Sequence, residues 1–196
     1  MTASLNELVW DFALAFKAVD TSAPIGGSPR RRYRPGIGPL GERDAIHRAL
    51  EQLKLTKPEL YSRAGPRSYP GTRAQCDLVL PGLWALEFKL IRPFGDNGDP
   101  AEHWSENVLH PYEGNTSSIG DCLKLRESRF SERKAVIVFG YEHSPPRIDL
   151  ELAVMAFEIV AEHVNGLTLG ERYVAEFDGL IHPVHQQGRV YGWEVL

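Results

Sequence analysis

Residues 76–91 read CDLVLPGLWALEFKLI, and the rest of the predicted fold is built outward from this stretch. Its first five residues predict a short strand, Pro81-Gly82 a turn, and its last eight residues a second strand. In the second strand the even positions are apolar, whereas the odd positions include Glu87 and Lys89. Because side chains two apart on a strand share a face, Glu87 and Lys89 are expected to point the same way.

Hydrophobic periodicity predicts further elements on both sides of this hairpin. Before the hairpin we predict a helix over 5–19, with Ser4 and Glu7 at capping-box spacing, and a helix over 41–55. After it we predict a long loop over 92–116 with one helical turn near 102–109, a helix over 118–128 that Ser118 and Asp121 could cap, and a strand over 135–141 buried on both faces. A helix of about fifteen residues capped by Asp149 and two or three short strands over 173–196 complete the chain. This order predicts a mixed α/β fold.

The chain has 196 residues, which suits one domain and is short for two. We therefore predict a single domain over 1–196. Its parts are an N-terminal helix (1–20), a basic connector rich in proline and glycine (21–39), a core (41–141), and a C-terminal helix with strands (142–196).

Composition excludes several classes of protein. No apolar run approaches the ~18 residues that span a bilayer, and the first residues do not form a secretory signal. Two cysteines, Cys76 and Cys122, are too few for a disulfide framework or a zinc knuckle. We expect a cytoplasmic protein without a membrane partner. The histidines are scattered, and His182 and His185 flank a proline, so we do not expect them to bind metal.

Three charged residues of the hairpin can carry chemistry together. Pro81-Gly82 reverses the chain and should bring Asp77 beside Glu87. Two adjacent carboxylates repel each other unless a cation lies between them, and such oxygen ligands suit Mg²⁺ or Mn²⁺. Lys89 could orient or deprotonate a water, or neutralise charge on phosphorus, so the three residues suit metal-assisted phosphodiester hydrolysis. The alternative is an exposed strand face with a weak Glu–Lys pair.

The pattern Asp77-x9-Glu87-Phe88-Lys89 resembles the signature of the PD-(D/E)xK nuclease superfamily. The resemblance implies that Asp77, Glu87 and the backbone carbonyl of Phe88 bind Mg²⁺ or Mn²⁺, and that Lys89 is the catalytic lysine. The proline of the family's name is absent here, because Cys76 precedes Asp77.

The same resemblance implies a restriction-endonuclease-like fold, with a mixed central sheet flanked by helices. Its core would run helix, three strands, helix and strand, with the first strand around Tyr61. The N-terminal helix and the C-terminal strands would be additions to this core.

Many members of the superfamily place a further acid near the start of the first core helix, and Glu42 matches that position. Glu42 shares a helical face with the apolar Ala45, Ile46 and Ala49. An inward glutamate is costly to bury without a partner, and a metal or its water shell would supply one. The alternative is a favourable charge in the first turn of a helix.

The function that these residues predict is a Mg²⁺-dependent nuclease of restriction, defence or repair type, with DNA favoured over RNA as the partner. Two alternatives stay open. One is a catalytically silent nuclease fold that binds nucleic acid or assembles with proteins, and the other is an RNase or resolvase with the same site. A homodimer is a further expectation, since cutting both strands commonly requires two active sites.

The formal net charge of −4 argues against a nucleic-acid partner only if charge is evenly spread. Residues 28–73 hold eleven basic and four acidic residues, so this segment carries +7 and the remainder −11. Charges are screened over ~8 Å, whereas a domain of this size has a radius of gyration near ~16 Å, so we expect a polarised surface. The candidate phosphate contacts are Arg30, Arg31, Arg32, Arg34 and Lys124. The alternative for the arginine run is a soluble linker, and the alternative for Lys124 is a solvated lysine.

Overall fold

A six-stranded mixed sheet forms the centre of the molecule, with helices on both faces. The computed structural model describes residues 2–22, 35–112 and 116–196. The strands are β1 (Gly65–Ser68), β2 (Gln75–Leu80), β3 (Trp84–Ile91), β4 (Arg133–Glu142), β5 (Tyr173–Asp178) and β6 (Gln187–Glu194). The helices are α1 (Leu5–Ser22), α2 (Glu42–Thr56), α3 (Pro58–Tyr61), α4 (Glu106–Leu109), α5 (Ser118–Glu127) and α6 (Leu150–Ile159), which continues as a π-helical turn, Val160–Val164.

The strand order in the sheet is β1-β2-β3-β4-β6-β5. β3 and β4 are parallel, and every other neighbouring pair is antiparallel. A parallel pair needs a crossover connection, and here the crossover contains α4 and α5. The topology therefore places α5 beside β3, the strand that carries Glu87 and Lys89.

Each face of the sheet packs against its own helical layer. The even positions of β3 and the side chains of α1 and α2 share one apolar cluster, in which the rings of Phe12 and Phe88 lie 4.8 Å apart. The odd positions face α5 and α6, as Ala85 and Ile91 show. α1 thus packs across this face of the sheet, where Phe16 also contacts Phe139 of β4 and Phe177 of β5.

Local sequence signals correctly predicted most of the elements. Ser4 and Glu7 form the capping box, since the Ser4 hydroxyl accepts the Glu7 N–H at 3.2 Å and the Glu7 carboxylate accepts the Ser4 N–H at 2.6 Å. The predicted strands 76–80 and 84–91 match β2 and β3 to within one residue. Gly82 in the turn between them has a φ of 74°, which glycine adopts without strain. Asp149 caps α6 as predicted.

Two predicted details were wrong. Tyr61 lies in α3 rather than in a strand, because Pro58 suits the first turn of a helix and the Tyr61 N–H donates to the Lys57 carbonyl at 3.1 Å. Ser117, and not Ser118, caps α5, with its hydroxyl accepting the Gly120 N–H at 3.1 Å.

Among the helices within the described ranges, none combines the length and apolar character that a bilayer crossing requires. The basic run 30–34 lies outside the described residues.

Candidate functional site

The site forms where β2 and β3 separate. β2 pairs with β3 only from Leu78 onward, opposite Leu86, so no strand among the described residues pairs with the next part of β3 on that edge. Two carboxylates take its place: Asp77 accepts the Phe88 N–H at 2.9 Å, and Glu42 accepts the Leu90 N–H at 2.7 Å. Because the N–H and C=O of one strand residue point to the same side, the Phe88 carbonyl also faces this gap.

Glu87 lies beside Asp77 at the floor of the gap. It is only 2 % exposed, and its carboxylate accepts a hydrogen bond from the Tyr69 hydroxyl. Burial raises the pKa of Glu87, and the adjacent Asp77 carboxyl group, within hydrogen-bonding reach, raises that pKa further. Asp77 and Glu87 therefore form the paired carboxylates that the hairpin predicts.

Lys89 lies between carboxylates from opposite layers of the fold. Its Nζ is 3.2 Å from Asp121 of α5 and 3.7 Å from Glu42 of α2. Burial alone would lower the pKa of Lys89, but the charges of Asp121 and Glu42 outweigh it and leave the pKa raised. Lys89 is therefore held as a cation, and it provides the partner that an inward Glu42 requires, together with the Leu90 N–H.

Asp121 is a site residue that the sequence pattern did not identify. Its two carboxylate oxygens contact different lysines, Lys124 at 2.7 Å and Lys89 at 3.2 Å, and its side chain is 4 % exposed. The sequence reading assigned Asp121 to a cap. Its spacing of three residues from Lys124 does place both on one face of α5, but that spacing alone does not show what the face covers. Tyr69, in the loop after β1, carries no periodic signal.

The structure brings most of the predicted residues together. Asp77, Glu87, Lys89 and Glu42 surround one gap, and Lys124 reaches the same gap, 3.5 Å from Glu87. The predicted phosphate contacts of the basic run fall outside the described residues; they are Arg30, Arg31, Arg32 and Arg34. The alternative of an exposed Glu–Lys pair is wrong, because Glu87 and Lys89 are only 2 % and 8 % exposed.

The donor set fits a hard divalent cation. Four carboxylates, from Glu42, Asp77, Glu87 and Asp121, surround two lysines, so the side chains leave an excess of negative charge when all are ionised. All of these donors are oxygens, as Mg²⁺ and Mn²⁺ prefer. Asp77, Glu87 and the Phe88 carbonyl would hold such an ion, the set that the resemblance implies.

Three clefts lead from solvent to the gap. One of about 560 Å³ opens beside Glu42 and Lys89. One of about 510 Å³ reaches Asp77 from the side of α2, and one of about 460 Å³ is lined by Tyr69 and Lys124. A buried charge cluster with solvent access from several sides is typical of a functional site.

A second cluster combines Asp96, His182 and His185, whose ligand-type atoms all lie within 4.8 Å of one another. The sequence did not predict this grouping. The Nδ1 atom of His182 accepts the N–H groups of Val184 and His185, both at 3.2 Å. His185 Nε2 lies 3.0 Å from the Phe94 carbonyl, which fixes the proton on that nitrogen. Because His182 Nδ1 accepts two backbone N–H groups, the ring proton lies on Nε2, so a metal at His182 would have to displace either the backbone donors or that proton. This hydrogen bonding favours a structural role in the turn.

His185 is expected to make the stability of the protein sensitive to acid. Burial lowers the pKa of His185 to about 4, while the unfolded side chain titrates near ~6.5. Protonation therefore favours the unfolded chain, and the stability contributed by neutral His185 is lost as pH falls from ~6.5 towards ~4. Between about pH 7.5 and about pH 5, this residue is expected to cost about 2 kcal/mol of unfolding free energy.

Urea unfolding of the natural chain and of His185→Gln at the two pH values checks this expectation. Carboxylate titrations contribute equally to both proteins, so the difference isolates the histidine. His185→Gln is expected to be less stable near neutrality and to lose less stability in acid. An equal loss in both proteins would contradict the assignment.

Comparison with protein-family models, curated proteins and solved structures found no match to this chain. A function must therefore be inferred from the chemistry of its own residues.

Proposed function

We propose that this protein is a Mg²⁺-dependent nuclease that hydrolyses phosphodiester bonds in DNA. The observation that carries the proposal is the gap between β2 and β3. There the carboxylates of Asp77 and Glu87 and the carbonyl of Phe88 converge, and a buried lysine cation, Lys89, lies beside them. Oxygen ligands for a hard cation next to a fixed positive charge are what hydrolysis of a phosphodiester requires.

The arrangement of secondary structure supports the same proposal. Apart from the four-residue helices α3 and α4, the chain runs from α2 through the three antiparallel strands β1 to β3, then through α5, and then to β4, which is parallel to β3. The resemblance to the PD-(D/E)xK superfamily implies this order for the catalytic core. We accordingly propose a restriction-endonuclease-like fold, with α1, α6, β5 and β6 extending the core.

Each residue of the site has a distinct role in the proposed reaction. A bound Mg²⁺ would polarise a phosphate oxygen and make a coordinated water more acidic. The ion would be held by Asp77, Glu87 and the Phe88 carbonyl. Lys89 orients the attacking water or neutralises the charge that grows on the phosphate oxygens. Asp121 holds the ammonium group of Lys89 from the side of α5.

Cations flank the site where a nucleic-acid backbone would pass. Arg92 lines the cleft beside Lys89, and Arg129 lines the cleft beside Lys124. Phosphate contacts of this kind position a nucleic acid without reading its sequence. The basic run 30–34 is a further candidate for such contacts.

The proposal can be tested with a panel of cleavage substrates. The panel contains plasmid DNA, duplex, single-stranded and branched oligonucleotides, and RNA. With added Mg²⁺ or Mn²⁺ the purified protein is expected to cut DNA, and excess EDTA is expected to reduce cutting to background. Preferred cutting of RNA or of branched DNA would instead support the RNase or resolvase alternative. No cleavage, together with no heat of Mn²⁺ binding in a calorimetric titration, would contradict the proposal and favour a silent binding module.

A further inference from the structure

We propose that Lys124 is an internal counter-cation of this site, which a divalent metal displaces and which then contacts the substrate phosphate. The inference deepens the proposed function and rests on it for the identity of the displacing ion. It concerns a residue that the metal-binding set Asp77, Glu87 and Phe88 does not include.

The position of the Lys124 ammonium group is the first observation. Its Nζ lies 2.7 Å from Asp121 and 3.5 Å from Glu87, whose side chains are 4 % and 3 % exposed. The same Nζ lies 5.9 Å from the centre of the Tyr69 ring, at the outer limit of a cation–π contact. The charged end of a surface residue thus bridges two buried carboxylates.

The charge of the cluster explains why a cation is held there. Buried carboxylates are costly unless they are paired. Lys89 contacts Asp121 and Glu42, and within the described residues the ion pair to Glu87 comes from Lys124. Lys124 therefore neutralises the carboxylate that the proposed function assigns to the metal.

A metal ion and Lys124 cannot share Glu87 without mutual repulsion. Asp77 and Glu87 would hold a divalent ion of twice the charge of the ammonium group, and Glu87 would then have to serve both cations. The two cations therefore compete for Glu87, and binding of the metal is expected to release Lys124 from it.

The Lys124 side chain has room to move. It is 45 % exposed, in contrast to Lys89, which is 10 % exposed and held from both layers of the fold. Lys124 also lines the cleft that Tyr69 and Arg129 share, and a lysine has a long flexible stem. A released ammonium group can thus reach a phosphate in this cleft, beside Arg129.

The exchange can be tested without any cleavage step. Metal-free protein is titrated with Mn²⁺, and binding is measured by calorimetry or by electron paramagnetic resonance. Lys124→Met is expected to bind Mn²⁺ at least about tenfold more tightly than the natural chain, because no internal cation has to be displaced. The matched control is Lys54→Met, which removes a lysine paired with Glu51 outside the site. The control is expected to bind Mn²⁺ with unchanged affinity.

The outcomes separate this inference from the proposed function. Equal or weaker binding by Lys124→Met, with clear binding by the natural chain, overturns the exchange and leaves the nuclease proposal standing. Binding by Lys124→Met when the natural chain shows none supports the exchange. No binding by either protein overturns both proposals. Thermal unfolding of the metal-free variant confirms that it is folded before it is titrated.

The salt dependence of DNA binding tests the second step. Ca²⁺ replaces Mg²⁺, and a gel of the recovered DNA verifies that it stays intact. With Ca²⁺ present, Lys124→Met is expected to lower the salt slope of binding by about one relative to the natural chain, and without metal the two slopes are expected to agree. Equal slopes in both conditions would overturn the phosphate contact.

Discussion

Asp77→Asn is expected to lower Mg²⁺-dependent cleavage by at least about 10³-fold while the protein stays folded. The asparagine oxygen can still accept the Phe88 N–H that Asp77 accepts at 2.9 Å, so the separation of β2 and β3 is preserved. What is lost is the negative charge of a proposed metal ligand. Single-turnover cleavage at saturating Mg²⁺, together with thermal unfolding, measures the two effects separately.

Asp178→Asn is the matched control for this substitution. Asp178 is an exposed acid at the end of β5, on the edge of the sheet opposite to β1 and β2, so the same chemical change is made away from the site and from the three clefts that lead to it. The control is expected to cleave at the natural rate. Cleavage by Asp77→Asn within about threefold of the natural chain would remove Asp77 from the metal site.

Glu87→Gln is expected to make the metal-free protein more stable and to abolish the stabilisation that we expect Mg²⁺ to give the natural chain. Glu87 is buried beside Asp77 and Asp121, and its pKa is raised above that of the unfolded chain. The folded protein therefore loses stability as pH rises from ~4.5 through this raised value, because an ionised Glu87 is costly to bury. A neutral glutamine avoids that cost, and its side-chain oxygen can still accept a hydrogen bond from the Tyr69 hydroxyl group.

Urea unfolding in EDTA checks the stability of this variant. The free energy of unfolding of Glu87→Gln is expected to exceed that of the natural chain by about 2 kcal/mol near pH 8 and by little near pH 5. Adding Mg²⁺ is expected to raise the melting temperature of the natural chain only. The exposed Glu162 provides the control substitution Glu162→Gln, with no expected gain. A Glu87→Gln protein less stable than the natural chain near pH 8 would show that the carboxylate is not repelled by its neighbours.

The hairpin shows how far local patterns determine the fold and the site. The alternation of β3 and the turn at Pro81-Gly82 predicted that Glu87 and Lys89 share a face and that Asp77 lies beside them. These features depend on residues close together in the chain, for which side-chain period and turn chemistry are sufficient. The same holds for the Ser4–Glu7 capping box and for the Asp149 cap.

Contacts between residues far apart in the chain explain what the sequence patterns did not predict. The sequence pattern of β3 indicated one apolar face and left the environment of the polar face open, yet the whole strand is buried. Its polar face is covered because the parallel pairing of β3 with β4 sends the chain through α5, which carries Asp121 and Lys124. A helical spacing shows that these two residues share a face, but it does not show which strand that face meets.

The amino-acid sequence by itself thus determined most of the elements, the mixed α/β class, and the pattern of Asp77, Glu87 and Lys89, since each depends on neighbours along the chain. Tertiary structure alone decided that β2 leaves β3 at Asp77, that Glu42 and Asp121 hold Lys89 from opposite layers, and that Lys124 pairs with Glu87. These contacts join segments far apart in the chain, and they are selected by the shared cost of burying charge rather than by any local preference.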